Sequence, residues 1–238
     1  YRCGQCKDHY RDALSLELLS ARLEAERSSG HQDTILTVDT LAHELQAQGK
    51  FDEAEPLFRE ALEVLRETLG SRHPDTLASI NSLGSLLQAK GDHAAAEPLY
   101  REAVEAQRQT LGNRHPSTLA SINNLGGLLQ DKGDLAAAEP LYRQALEGQR
   151  QAFGNRHPDT LASISNLAVL LAKKGDLAGA EPLLRDALEL RRKTLGNRHP
   201  DTLGSVNNLG RLLKAKGDLA AAEPLYREAL EVQRATLG

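Results

Sequence analysis

With 238 residues the chain can bury a real core, and its formal charge of −4 mixes both signs, so no basic field marks a nucleic-acid binder. Aromatic residues make up only 3%, thin for base stacking or for a β-sandwich core, and no apolar run approaches the roughly 18 residues of a membrane span. No signal peptide is visible, but the chain starts at Tyr1 and contains no methionine, so it reads as a fragment or processed product; the expected compartment is cytoplasmic, with an organelle the alternative.

The first stretch, residues 1–30, makes sense only against the rest of the chain. "YRDAL" at 10–14 matches "YREAL" at 226–230, so residues 1–30 read as a leading helix, a partial repeat with about six extra residues within "LLSARLEAERSSG". Cys3 and Cys6 form a CxxC with His9 behind it, which suits a redox pair or half a zinc site. The same register places both cysteines on the helix's inner stripe, where cysteine packs as a small residue. A zinc module upstream of Tyr1 is the alternative.

From His31 onward the sequence is periodic. His31, His73, His115, His157 and His199 recur at intervals of 42 residues, the last four within a phrase such as "GNRHPDT". The units are 31–72, 73–114, 115–156, 157–198 and 199–238. Such regularity predicts a stacked array in which each unit buries its apolar face on its neighbours.

Each unit reads as two helices. In 115–156, Leu119, Ile122, Leu125 and Leu129 recur at threes and fours and predict helix A. Lys132-Gly133 ends it, and Asp134 suits the N-cap of helix B. Ala138, Leu141, Tyr142, Ala145 and Leu146 form the inner stripe of helix B, and Gly154 closes it. Pro140 removes one helical hydrogen bond, so a slight bend is expected there. Ala96, Ala138, Ala180 and Ala222, with Ala103, Ala145, Ala187 and Ala229, are expected where helices approach most closely.

The recurring histidine invites a metal reading. Ligands must lie about 2 Å from one ion, whereas packed helices stand about 8–10 Å apart, so the histidines cannot converge on a single site. Proline explains them better: His at the N-cap, Pro at N1 and Asp in the first turn make a helix start. The arginine before each of the last four histidines reads as a solvated charge or a partner for a nearby glutamate. No GxSxG, HExxH or P-loop is present, so no catalytic residue, metal or cofactor is assigned and the chain is read as a non-enzyme. Glu139, Arg143, Glu147 and Arg150 read as a charge-mixed outer face.

Leu125-Gly126, Leu129, Ala138, Tyr142 and Ala145 resemble the tetratricopeptide (TPR) signature. "HPDTLASINNLG"-like phrases and "GDLAAAEPLYREALEVQRATLG" are similar to the 42-residue repeats of kinesin light chain. The resemblance covers residues 31–238 and implies an all-α, right-handed superhelical solenoid of antiparallel helix pairs. It implies protein or peptide binding on a concave face lined by the A helices. Carried over position by position, it points to Asp39, Asn81, Asn123, Ser165 and Asn207, with Asn124 and Asn208 beside them; amides of this kind donate to and accept from a peptide backbone, or brace neighbouring helices.

One turn on lies a row that varies between near-identical units: His43, Ser85, Gly127, Val169 and Arg211. Gln46, Gln88, Gln130, Ala172 and Lys214 come next. With Lys173, Arg211 and Lys214 the row turns basic towards the C-terminus, which suits an acidic peptide. A non-catalytic scaffold or adaptor is therefore expected, with no nucleic acid and no membrane insertion. The alternatives are a structural subunit or assembly factor of a large complex, or the sensor arm of a larger signalling protein.

Overall fold

The computed structural model describes residues 34–237, together with the helical positions 18, 20 and 21; Cys3, Cys6 and most of the leading segment lie outside the described residues. Every regular element among the described residues is an α-helix. In chain order they are α1 (Thr34–Ala47), α2 (Phe51–Leu69), α3 (Pro74–Ala89), α4 (His93–Leu111), α5 (Pro116–Asp131), α6 (Leu135–Phe153), α7 (Pro158–Lys173), α8 (Leu177–Leu195), α9 (Pro200–Ala215) and α10 (Leu219–Leu237). They form two compact units that meet in sequence at Thr110 and Leu111.

The helix starts derive from the His-Pro phrase. His73, His115, His157 and His199 sit at N-caps in extended backbone, with proline at the first helical position. Each imidazole Nδ1 accepts the backbone N–H two residues on, at 3.2 Å. The histidine thus satisfies a donor that the helix itself leaves open. The nearby threonine is also part of the core: Thr76, Thr118, Thr160 and Thr202 are fully buried. Arg72, Arg114, Arg156 and Arg198 are exposed in the loops, as solvated charges.

The stops are equally local. At the end of α5, Gly133 takes a left-handed φ of 84°, its N–H donates to the Gln130 carbonyl, and the Asp134 N–H reaches back to the Leu129 carbonyl. This is a Schellman closure, which only glycine adopts without strain. Asp134 then caps α6 by accepting the Ala137 N–H at 3.0 Å. The helix runs unbroken through Pro140, which is exposed on its outer side together with Ala136, so the carbonyl that loses its partner faces solvent.

Small residues set how closely the helices pack. Ala96, Ala138, Ala180 and Ala222, and Ala103, Ala145, Ala187 and Ala229, are all at most 4% exposed. A second contact pairs a large ring with no side chain. A Cβ on Gly84 would lie 2.9 Å from the Tyr100 ring, and on Gly126 3.1 Å from that of Tyr142. Where the ring is replaced by Leu184, Ala168 stands in the glycine position. Volume is conserved across the pair, as close packing requires.

Charged rungs tie one helix pair to the next. Lys90 bonds Glu55 and Asp52, both at 2.7 Å, while Lys174 bonds Glu139 and Lys216 bonds Glu181. Each of these glutamates also holds the arginine one turn on: Arg59, Arg143 and Arg185. Hydrogen bonding from the lysine, then from the arginine, keeps the three carboxyls below the usual carboxylate range. What the sequence offers as a plain outer face at Glu139 and Arg143 therefore also links α6 to the end of α7.

Candidate functional site

The site is built most fully on α7 and α9. On α7, Ser165, Val169 and Lys173 succeed one another at one-turn intervals along a single face, and α9 presents Asn208, Arg211, Leu212 and Ala215. Between them lies a cleft of about 200 Å³, completed by Ala172 and by Leu177 and Leu184 of α8. Its lining is mainly apolar, with Lys173 and Arg211 at the rim. Lys173, Arg211 and Lys214 are exposed, and no carboxylate pairs with any of them among the described residues.

The cleft has a physical origin in two coordinated departures from the repeat. In α4 the Tyr100 hydroxyl donates to Gln88 of α3 at 3.2 Å, which fills the corresponding space. Forty-two-residue steps carry Tyr100 to Leu184 and Gln88 to Ala172, so both members of that pair shrink in the same place. Ala172 is visible in the variable row of the sequence. Leu184 is the signal that sequence reasoning missed, because leucine for tyrosine on an inner stripe looks like ordinary core variation.

The amides are drawn into the fold in part. Asn81 donates to the Leu77 carbonyl of its own helix at 3.0 Å. The Asn123 amide of α5 donates to Ser163 Oγ of α7, bracing two A helices. Asn124 is exposed, and Asn207 and Asn208 are half-buried, with Asn208 on the cleft wall. Gln130 is half-buried and its Oε1 is inaccessible and unbonded. Lys173, Asn208 and Arg211 are thus brought together, Lys214 lies further along α9, and Asn81 and Gln88 belong to the other unit.

Where asparagine gives way to Ser165, an arginine takes over the brace. The Arg191 guanidinium of α8, only 7% exposed, donates from Nη1 to Ser165 Oγ at 2.9 Å and to Ser205 Oγ of α9. Burial pulls this guanidinium below its ordinary range, opposed by the charge of Asp201. Gln107 and Gln149 hold the same register and are buried too. The pair of changes is invisible at the level of one helix, because it couples positions 26 residues apart.

No three His, Cys, Asp or Glu side chains are grouped to hold a metal ion among the described residues, and no described helix is long and apolar enough to cross a membrane.

The tetratricopeptide repeat family model matches residues 34–109, 78–151, 117–193 and 159–235. No curated protein matches the chain in sequence. Among solved structures, the chain is similar to a Podosopora anserina protein described as a kinesin light chain with nearly identical TPR-like repeats. The identity is 32% over 87% of this chain and 98% of that one, with a TM-score of 0.71. A singly substituted form of that protein gives 31% identity over 85% and 95% of the two chains, with a TM-score of 0.72. The BtubC (BKLC) protein of P. vanneervenii shares the fold, with a TM-score of 0.77 at 24% identity over 95% of this chain and 92% of that one. An all-α chain of helix pairs at a 42-residue interval, capped by His-Pro and closed by Gly-Asp, belongs to the tetratricopeptide repeat family in its kinesin light chain-like form.

Proposed function

We propose that the chain is a non-catalytic protein-binding array that holds an acidic peptide segment along the A helices of its second unit, with the α7/α9 cleft as the anchoring point. Tetratricopeptide repeats generally mediate protein–protein interaction, which supports the class of function. The observation that carries the finer reading is the cleft itself: an apolar hole left by the Tyr-to-Leu and Gln-to-Ala changes, rimmed by Lys173 and Arg211, with Lys214 beyond. An apolar side chain entering the hole would put neighbouring carboxylates within reach of cations that have no internal counter-ion. Adaptor or scaffold is the role this implies. The Asn81 and Asn123 amides, already bonded inside the fold, support bracing more than peptide contact.

The experiment is fluorescence anisotropy with a labelled peptide carrying one large apolar residue among aspartates and glutamates. Lys173→Glu with Arg211→Glu should weaken binding by at least about tenfold, since each substitution replaces an attraction by a repulsion, and should leave the melting temperature unchanged. Equal affinity for a peptide with lysines in place of the acids would refute the acidic reading.

A further inference from the structure

A second cleft is lined by residues other than those of the α7/α9 cleft, and the array's own regularity shows why it is there. Besides the lysine rungs, the B helices are tied by an arginine near the end of one helix and a glutamate of the next. Arg66 of α2 grips Glu102 of α4 with two bonds of 2.7 and 2.8 Å, and Arg192 of α8 grips Glu228 of α10 at 2.6 Å. At the same register α6 offers Arg150 and α8 offers Asp186, one methylene shorter. No ion pair forms between them, and neither side chain has another partner among the described residues. Where the rung fails there is a cleft of about 210 Å³, lined by Arg150, Asn155, Ile164, Leu183, Asp186, Glu189 and Leu190.

The lining is specific in character. A guanidinium and a carboxylate that should have met now line one small opening, over an aliphatic surface made by Ile164, Leu183 and Leu190. Asn155 adds an amide. Glu189 adds a second carboxylate, held by Lys193 one turn on. The volume is below the roughly 300–1,000 Å³ of pockets that take drug-sized ligands, so the fitting ligand is small. It must present an anion and a cation a few bonds apart, together with an aliphatic group.

We propose that this cleft binds a free aliphatic α-amino acid. Its carboxylate lies on Arg150, in the fork geometry that guanidinium favours, and its ammonium between Asp186 and Glu189. Its side chain covers Ile164, Leu183 and Leu190. The ligand thereby completes the broken rung from outside and links α6 to α8. The site shares no residue with the α7/α9 cleft and stands independently of the peptide-binding reading.

The test uses the whole chain and L-leucine as the probe, followed by amide NMR shifts and calorimetry. L-Leucine should shift resonances of residues 150–155 and 183–190. Glycine, 4-methylpentanoate and 3-methylbutylamine, which lack the side chain, the ammonium and the carboxylate respectively, should each bind at least about tenfold more weakly. Asp186→Glu should restore the rung seen at Glu102 and Glu228, keep or raise the melting temperature, and remove leucine binding without changing the affinity for the acidic peptide. Arg150→Gln should remove leucine binding as well. The proposal is overturned if L-leucine shifts nothing around the cleft up to its solubility limit. It is equally overturned if Asp186→Glu binds leucine as the native chain does, or if the one-charge analogues bind as tightly.

Discussion

At the scale of single residues, the array works by matched pairs more than by individual choices. Gly126 has no side chain because the Tyr142 ring occupies the place where a Cβ would stand, and the chain itself shows the exchange in the Ala168 and Leu184 pair. Gly126→Ala alone should therefore overpack the contact and cost about 1–3 kcal/mol, less whatever alanine returns in helix propensity. Tyr142→Leu alone should leave a void and cost a similar amount. The double change should recover most of the loss, so a double-mutant cycle by urea denaturation should give a favourable coupling of at least about 1 kcal/mol. Additive losses would mean that ring and glycine do not share one space. Tyr142 is buried deeply enough that its hydroxyl is pushed up to about 12, by desolvation first and by the charge of Asp131 second. It therefore stays neutral at any pH where the protein is handled.

At the scale of elements, punctuation was the most legible part of the sequence. His-Pro starts and Gly-Asp stops are written in neighbouring residues, and their geometry is local, so His157 and Gly133 could be assigned roles from spacing and backbone preference alone. His157→Ala should remove the acceptor for the Asp159 N–H and cost about 0.5–2 kcal/mol, whereas His157→Ser, itself a good cap, should be nearly neutral. Thermal melts of the two variants check this, and equal losses would point to the Phe153 ring stacked 4.4 Å from His157 as the more important contact. The candidate site was legible only by halves. Lys173, Arg211 and Lys214 stood out as cations in a row that changes while its neighbours do not. The hole beside them did not, because it needs Ala172 of one helix and Leu184 of the next to shrink together. The Ser165–Arg191–Ser205 brace and the Arg150–Asp186 gap were hidden for the same reason: each joins different helices, and no periodicity along one helix reports a contact across two.

At the scale of the molecule, cohesion between helix pairs combines apolar packing with the lysine–glutamate rungs. Glu55, Glu139 and Glu181 titrate below the usual carboxylate range, so each adds stability once the pH is above that range and loses it as the pH falls through the lowered value. Urea midpoints should hold steady from pH 7 towards 5 and decline below about 4. Glu181→Gln should flatten the decline, by no more than about 1 kcal/mol, the usual worth of a surface pair. A midpoint that rose on acidification would show that the rungs do not stabilise the fold. The rungs also bear on how such a chain can change length. Remove residues 157–198, one full interval, and Glu139 comes into register with Lys216, Asn123 with Ser205, and Arg150 with Glu228. Each new neighbour is the residue type that already makes that contact elsewhere in the chain, and the failed rung at Arg150 is mended. A gene coding for this protein can lose or gain an interval without writing any new interface, and it is the irregular fourth interval, with its two clefts, that such an event would erase.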